Sequence, residues 1–373
     1  MAARFALNHL ATACIGMALL AACGGPTSSE DDEVASLDGE SFRMVPVTIF
    51  DPMVDANAFS ILVPRGWDYA GEVQWRHQMA NLASASMTIS NPKGGELLQI
   101  YPIIPFSFIQ NPVVPIPIGT IYLGTEFRPP IQDPAVFLEQ MVFPSVRGNA
   151  TNASVINREG LTKVAEEIFK QRYGSDPNYG ISAVKWTVQY TLAGREYEEA
   201  FYCAMSYYTS PQMPGSVIWQ PEYIYSIRSF RGGMDRAEGL LQAVAASITL
   251  DMKWYGLYLQ VYKLWQDGQM KAIQNAGELS RYISNVNNQI TDIIVDGYNK
   301  RQVSEDRIYD QFSESIRGVE TYDNPVTGRP VQLPSDFSHA WVSTTGEYFL
   351  TNSAGDNPNV GSTQDWQRLK TAP

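Results

Sequence analysis

The sequence predicts an α+β fold: an antiparallel sheet with flanking helices, then long helices and a small β-rich C-terminal tail. Three observations predict it. Runs in the strand period, separated by turn residues, recur between residues 59 and 230. Amphipathic helical runs interrupt and follow them. Beyond residue 250, apolar residues recur in alternating steps of three and four.

Phe59-Ser60-Ile61-Leu62-Val63 predicts a strand closed by Pro64-Arg65-Gly66-Trp67. Ser84 to Ser90 and Leu97 to Tyr101 alternate as strands, with Asn91-Pro92-Lys93-Gly94-Gly95 as the hairpin turn. Asp133-Pro134 predicts the start of a helix over Val136 to Phe143, because a proline in the first turn sacrifices no intrahelical bond. A second helix is expected from Gly160 to Tyr173, presenting Leu161, Val164 and Ile168. Three long strands follow: Ala183 to Thr191, Arg195 to Tyr208 and Ser216 to Phe230. Leu192-Ala193-Gly194 turns between the first two. Asp235 to Ser247 predicts an amphipathic helix with Leu240, Leu241 and Val244 inward.

Residues 251 to 318 predict long helices. Ala276, Leu279, Ile283, Val286, Ile290 and Ile293 suit an intramolecular helical hairpin or a packed stalk. Residues 319 to 373 form the β-rich tail, with a hairpin expected over His339 to Leu350.

The first 22 residues predict an export signal: Arg4 opens it, and residues 10 to 22 form a small apolar run too short to span a bilayer. The run ends in Leu20-Ala21-Ala22-Cys23, which resembles the lipobox of bacterial lipoproteins. The resemblance implies a diacylated Cys23 as the new N-terminus; the alternative is a secretory signal with a chance cysteine. Two acyl chains hold a protein stably on a membrane where one does not. Gly24, in place of the Asp that retains enterobacterial lipoproteins at the inner membrane, implies the outer membrane. Residues 24 to 41 are polar, with Glu30, Asp31, Asp32 and Glu33 in a row, and predict a disordered tether.

Ala58 to Trp67, a strand ending in Pro64-Arg65-Gly66-Trp67, resembles the first strand of the PsbP and DcrB-like group. Ala246-Ser247-Ile248 resembles the end of its last helix. The resemblance spans about residues 45 to 250 and implies a PsbP-like antiparallel sheet in a binding or assembly module, without shared catalytic residues. The chain departs from a compact member in its proline-rich stretch at 102 to 118 and its C-terminal extension. Arg317 to Tyr322, His339-Ala340-Trp341-Val342 and Gly346-Glu347-Tyr348 resemble a C-terminal module of uncharacterised bacterial proteins, which carries no function with it. The expected divisions are therefore 1–22, 23–41, 42–250, 251–318 and 319–373.

Charge and chemistry narrow the function. The chain carries a net charge of −12, and losing Arg4 with the signal, which holds no acid, makes it −13. Such a chain argues against nucleic acid and against general attraction to anionic membranes. With Cys14 removed and Cys23 lipidated, Cys203 stands alone in an apolar run and is expected to be buried and inert. His77 and His339 have no ligand-like spacing, and no phosphate loop, HExxH helix or Gly-x-Ser-x-Gly elbow occurs. No cofactor or metal is expected. Asn352, Asp356, Asn357 and Asn359 put several oxygens in one short stretch, yet not with the spacing of the twelve-residue calcium loop, so a turn is expected.

Pro102, Pro105, Pro112, Pro115 and Pro117 exclude a central strand over 102 to 118. The same stretch holds Phe106, Phe108, Ile109, Val113, Val114, Ile116 and Ile118. It is either an apolar surface facing a partner or a lid on its own sheet. The expected function is an envelope-anchored, non-enzymatic module that binds or scaffolds another envelope component, including an envelope protein. The alternative is a hydrolase acting on envelope glycans or peptides through paired carboxylates.

Overall fold

A computed structural model describes residues 41–266, 319–328 and 330–372. They all fall in the unit Val34–Pro373. Cys23, the expected tether up to residue 40 and the three-four stripe from Ala276 to Ile293 lie outside the described residues.

The chain opens with β1 (Ser41–Asp51), β2 (Ala56–Pro64), β3 (Asp68–Trp75), β4 (Ala83–Ser90), β5 (Leu97–Ile100) and β6 (Phe106–Ile109). Two short strands follow, β7 (Ile121–Tyr122) and β8 (Thr125–Phe127). A helical segment runs through α1 (Pro134–Phe137), a π-helical turn (Leu138–Val142) and α2 (Phe143–Val146). Then come β9 (Thr151–Gly160), α3 (Thr162–Arg172), β10 (Tyr179–Leu192), β11 (Arg195–Thr209) and β12 (Ser216–Phe230). α4 (Met234–Ala246), β13 (Thr249–Leu250) and α5 (Met252–Gln266) complete the first stretch. The C-terminal strands are β14 (Val319–Asp323), β15 (Pro330–Pro334), β16 (His339–Ser343), β17 (Tyr348–Thr351), β18 (Trp366–Arg368) and β19 (Lys370–Thr371).

These strands make two large sheets and one small one. The larger follows β3-β4-β5-β12-β11-β10-β9, with β6, β7 and β8 joined to it through β12. The second follows β13-β2-β1-β17-β16-β18, and the third β15-β14-β19. Pairing is antiparallel except between β6 and β8. Two-residue turns suit the twist of antiparallel strands when both residues take positive φ. Leu192 pairs with Arg195 across such a turn, with Ala193 at φ 49° and Gly194 at φ 77°.

The α+β expectation is corrected to a mostly β fold. Among the described residues strand takes 46% and helix 18%, with curled sheets and no long helices. Two physical reasons stand out. The strands expected to form one PsbP-like sheet divide: β1 pairs with β2 on one side and with C-terminal β17 on the other, as in Phe42↔Leu350 and Met44↔Tyr348, so the tail completes a sheet begun at residue 41. The helix expected over 136 to 143 is not one regular α-helix: it runs from Pro134 to Val146 with a π-helical turn just before Pro144. A proline has no N–H to give the ladder. The bonding slips to Phe143 N–H on Leu138 O, a π-helical step.

The α1–α2 segment covers one face of the larger sheet, setting Phe137, Leu138 and Val142 against Trp186, Phe201 and Trp219. α3 and α4 pack with Tyr202, Tyr225 and Ile227, whose side chains join the other core cluster. α4 touches β12 and β5 of the larger sheet, β2 of the second and β14 and β15 of the third. Its residues Ala237 to Ala245 are therefore buried all round, and not on the Leu240, Leu241 and Val244 face alone. Small residues at 237, 239, 243 and 245 allow that approach, and each fully buried Leu or Val contributes about 1.5–3 kcal/mol. Asp51, fully buried, ties three elements together. Its Oδ2 accepts from Trp75 Nε1 (2.8 Å) and Trp254 Nε1 (2.7 Å), and its Oδ1 from Met53 N–H.

Candidate functional site

Catalytic carboxylates would have to be reachable, so the buried acids come first. Glu199 is fully buried and takes a bidentate pair from Arg147, at 2.7 and 2.9 Å, with hydroxyls from Tyr190 and Ser226. Glu238 is held by Lys185 and the Tyr202 hydroxyl. Glu222 accepts from Arg172 (2.7 Å), Tyr173 (2.6 Å), Ser206 and Gln220. Each of these carboxylates is enclosed by its donors, and the network joins strands to helices.

Glu222 gives a pH signature. Burial alone would raise its pKa, but the Arg172 charge and the hydrogen bonds from Ser206, Tyr173 and Gln220 outweigh burial and hold it below the ordinary value. In the unfolded chain it titrates at the ordinary glutamate value. The stabilisation is then fully present above that pH and is lost as pH falls through the lowered folded value. Urea midpoints measured from pH 7 to pH 3 should fall more steeply for the native chain than for Glu222→Gln. Parallel curves would contradict this assignment.

The stretch from residue 102 to 118 does not lie in one environment. Phe106 to Ile109 is strand β6, paired with β12 from Phe106↔Trp219 to Ile109↔Ser216 and with β8 on its other side, which corrects the exclusion of a central strand there. Pro105 and Pro112 stand outside the strand, where a missing N–H costs no ladder bond. Phe106 is buried, stacked on Trp219 at 4.3 Å between ring centroids. Phe108, Ile109 and Ile116 are half-buried. Val113 (102%), Val114 (71%) and Ile118 (63%) stand in solvent. The neighbouring Ile121 and Leu123, which the sequence reading did not single out, are also exposed, as are Met213 and Ile218 of the β11–β12 hairpin. Hydrogen-bonding holds this end of the sheet in shape: Gln110 N–H on Gly215 O (2.9 Å), Gly119 N–H on Phe127 O (2.9 Å) and Phe127 N–H on Thr120 O (2.8 Å).

A cavity of about 610 Å³ opens at the same end, lined by Phe108, Ile181, Ser182, Tyr207, Pro214 and Val217 among others. None of its lining side chains is charged. A second cavity of about 490 Å³ lies between β2, the α4–β13 link and the small sheet, and it too has no charged lining. Both accommodate neutral or apolar groups, and neither supplies an acid or a base. Cys203 is fully buried, and burial pushes its thiol up.

His77 stacks on Trp75, and His339 Nδ1 meets Arg368 Nη2 at 2.6 Å. The C-terminal oxygens hold their own loop together. Asp356 accepts from the Thr351 hydroxyl (2.6 Å), Asn357 from Asn359 N–H (3.0 Å), Asn359 from Trp366 N–H (2.8 Å) and Asn352 from Ser338 N–H (2.9 Å).

Comparison with protein-family models and with curated proteins found no match for the chain.

Proposed function

We propose that the protein is a lipid-anchored module of the bacterial cell envelope that binds or scaffolds another envelope component and catalyses no reaction. Its anchor is Cys23 and its most fitting place is the outer membrane, a reading supported by Leu20-Ala21-Ala22-Cys23-Gly24 after the apolar run. Its binding face is the uncharged end of the larger sheet. The observation that carries this is that Val113, Val114, Ile118, Ile121 and Leu123 are all exposed within one short stretch of chain. The hydrolase alternative needs two acids facing one cleft, whereas Glu199, Glu222 and Glu238 are each taken up by basic and hydroxyl donors.

Two measurements test the reading. Cys23→Ser is expected to abolish incorporation of labelled palmitate and lipoprotein-type signal processing; label still entering the variant would remove the anchor. Photo-reactive residues placed singly at 110 to 124 in intact envelopes should capture an envelope component, whether lipid or protein. Capture confined to photo-reactive residues on other surfaces would move the binding face.

A further inference from the structure

We infer that the tip of the loop between β6 and β8 seats in the lipid bilayer itself, its apolar side chains entering the interfacial layer. The inference rests on the lipid-anchored reading for why a bilayer is near. It names the occupant of the binding face.

Four features of the loop select lipid over a protein groove. No charged residue occurs from Leu97 to Thr125, and the first charges met below the tip are the paired Glu126 and Arg128. A segment entering an interface must leave its charges outside, and this one places them at its base. The exposed side chains are aliphatic and project from a turn. They do not line a hollow: Val113 is fully exposed, Leu123 80% and Val114 71%. Pro112, Pro115 and Pro117 remove N–H donors from the tip. A protein interface carries about one hydrogen bond per 100–200 Å², and a tip short of three donors serves that less well. The loop is also pre-ordered by its prolines and by the bonds from Gln110, Gly119, Thr120 and Phe127, so entry orders little further.

Chain length puts lipid within reach. Eighteen residues separate Cys23 from Ser41 (41 − 23), where β1 begins. At roughly 3.3–3.6 Å per residue this spans no more than about 65 Å. With Cys23 lipidated, the body stays within about its own diameter of the membrane. The net charge, −13 once the signal is lost, makes contact by electrostatic attraction unfavourable, so the contact works through apolar burial and is insensitive to salt.

The test uses the full chain carrying Cys14→Ser and Cys23→Ser, which leaves only buried Cys203. A single new thiol, Val114→Cys or Val360→Cys, takes an environment-sensitive fluorophore; Val360 is 81% exposed in the C-terminal turn. Phosphatidylcholine vesicles containing a nitroxide-labelled lipid are then added. The label at 114 should be quenched several-fold more than the label at 360, equally at about 0.1 M and 1 M salt. Adding Val113→Asp and Leu123→Asp should bring quenching at 114 down to the level at 360, with the far-ultraviolet circular dichroism retained. Equal quenching at the two positions overturns the inference. So does a photo-cross-linker at 114 that captures polypeptide and no lipid in whole envelopes. Because Cys23 is absent here, failure of the loop and failure of the anchor are separate results.

Discussion

Arg147→Ala is expected to lower stability by about 3–5 kcal/mol, the cost of leaving a buried charge without its partner. Arg147 Nη1 donates to Val146 O at the end of α2, Nη2 to Gln99, and Nε and Nη2 to Glu199. Glu199 keeps its Tyr190 and Ser226 hydroxyls in the variant, but these are neutral donors in a site with no exposure. Urea unfolding at pH 7 measures the loss. The double change Arg147→Met with Glu199→Leu removes both charges together, so it should lose far less than the two single changes summed. A single-variant loss below about 1 kcal/mol, as for an exposed pair, would sink this reading.

Trp219→Ala is the other large effect, about 3–5 kcal/mol, since deleting a fully buried indole leaves a cavity that neighbours fill only in part. Trp219 stacks on Phe106, meets Phe137 edge-on at 6.0 Å and donates from Nε1 to Arg128 O at 3.1 Å. Those contacts fix β6, the chain just after β8 and α1 to β12. The expected signature is local as well as global: amide exchange at Phe106 to Ile109 should accelerate beyond the rise seen in β10 and β11. Uniform acceleration would mean that Trp219 does not hold the exposed loop.

The elements most legible in the sequence were those whose pattern is local. β4, β5 and the β10–β11–β12 run announce themselves by alternation and by turns such as Ala193-Gly194, and Asp133 caps α1 with its side chain on Ala135 N–H. β9 was missed because all ten of its residues are exposed, so Thr151 to Gly160 has no buried face to impose an alternation. α4 was read as one-sided because helical periodicity reports a strong apolar stripe and is silent about small residues packed on the opposite side. The division into two large sheets was illegible for a different reason. Nothing local to Ser41–Asp51 says that Thr351 is its neighbour. At the candidate site the composition of the proline-rich stretch was visible, but its split into a buried strand and an exposed tip depends on β12, a hundred residues on.

The pairing of β1 with β17 has a consequence in time. The strand that starts the second sheet is among the first parts of the body to be synthesised, and its partner is among the last. Contacts of such sequence separation are slow to form, because a very long loop must close before they return any stabilisation. Until Tyr348 to Thr351 exists, β1 has only β2 beside it and its other edge is open. A nascent chain built this way stays incompletely folded through almost the whole of its translation. That suits a polypeptide threaded unfolded through an export pore, as the leader expected at residues 1 to 22 requires. A chain stopping short of Tyr348 would carry that open edge permanently, as a template for pairing with its neighbours.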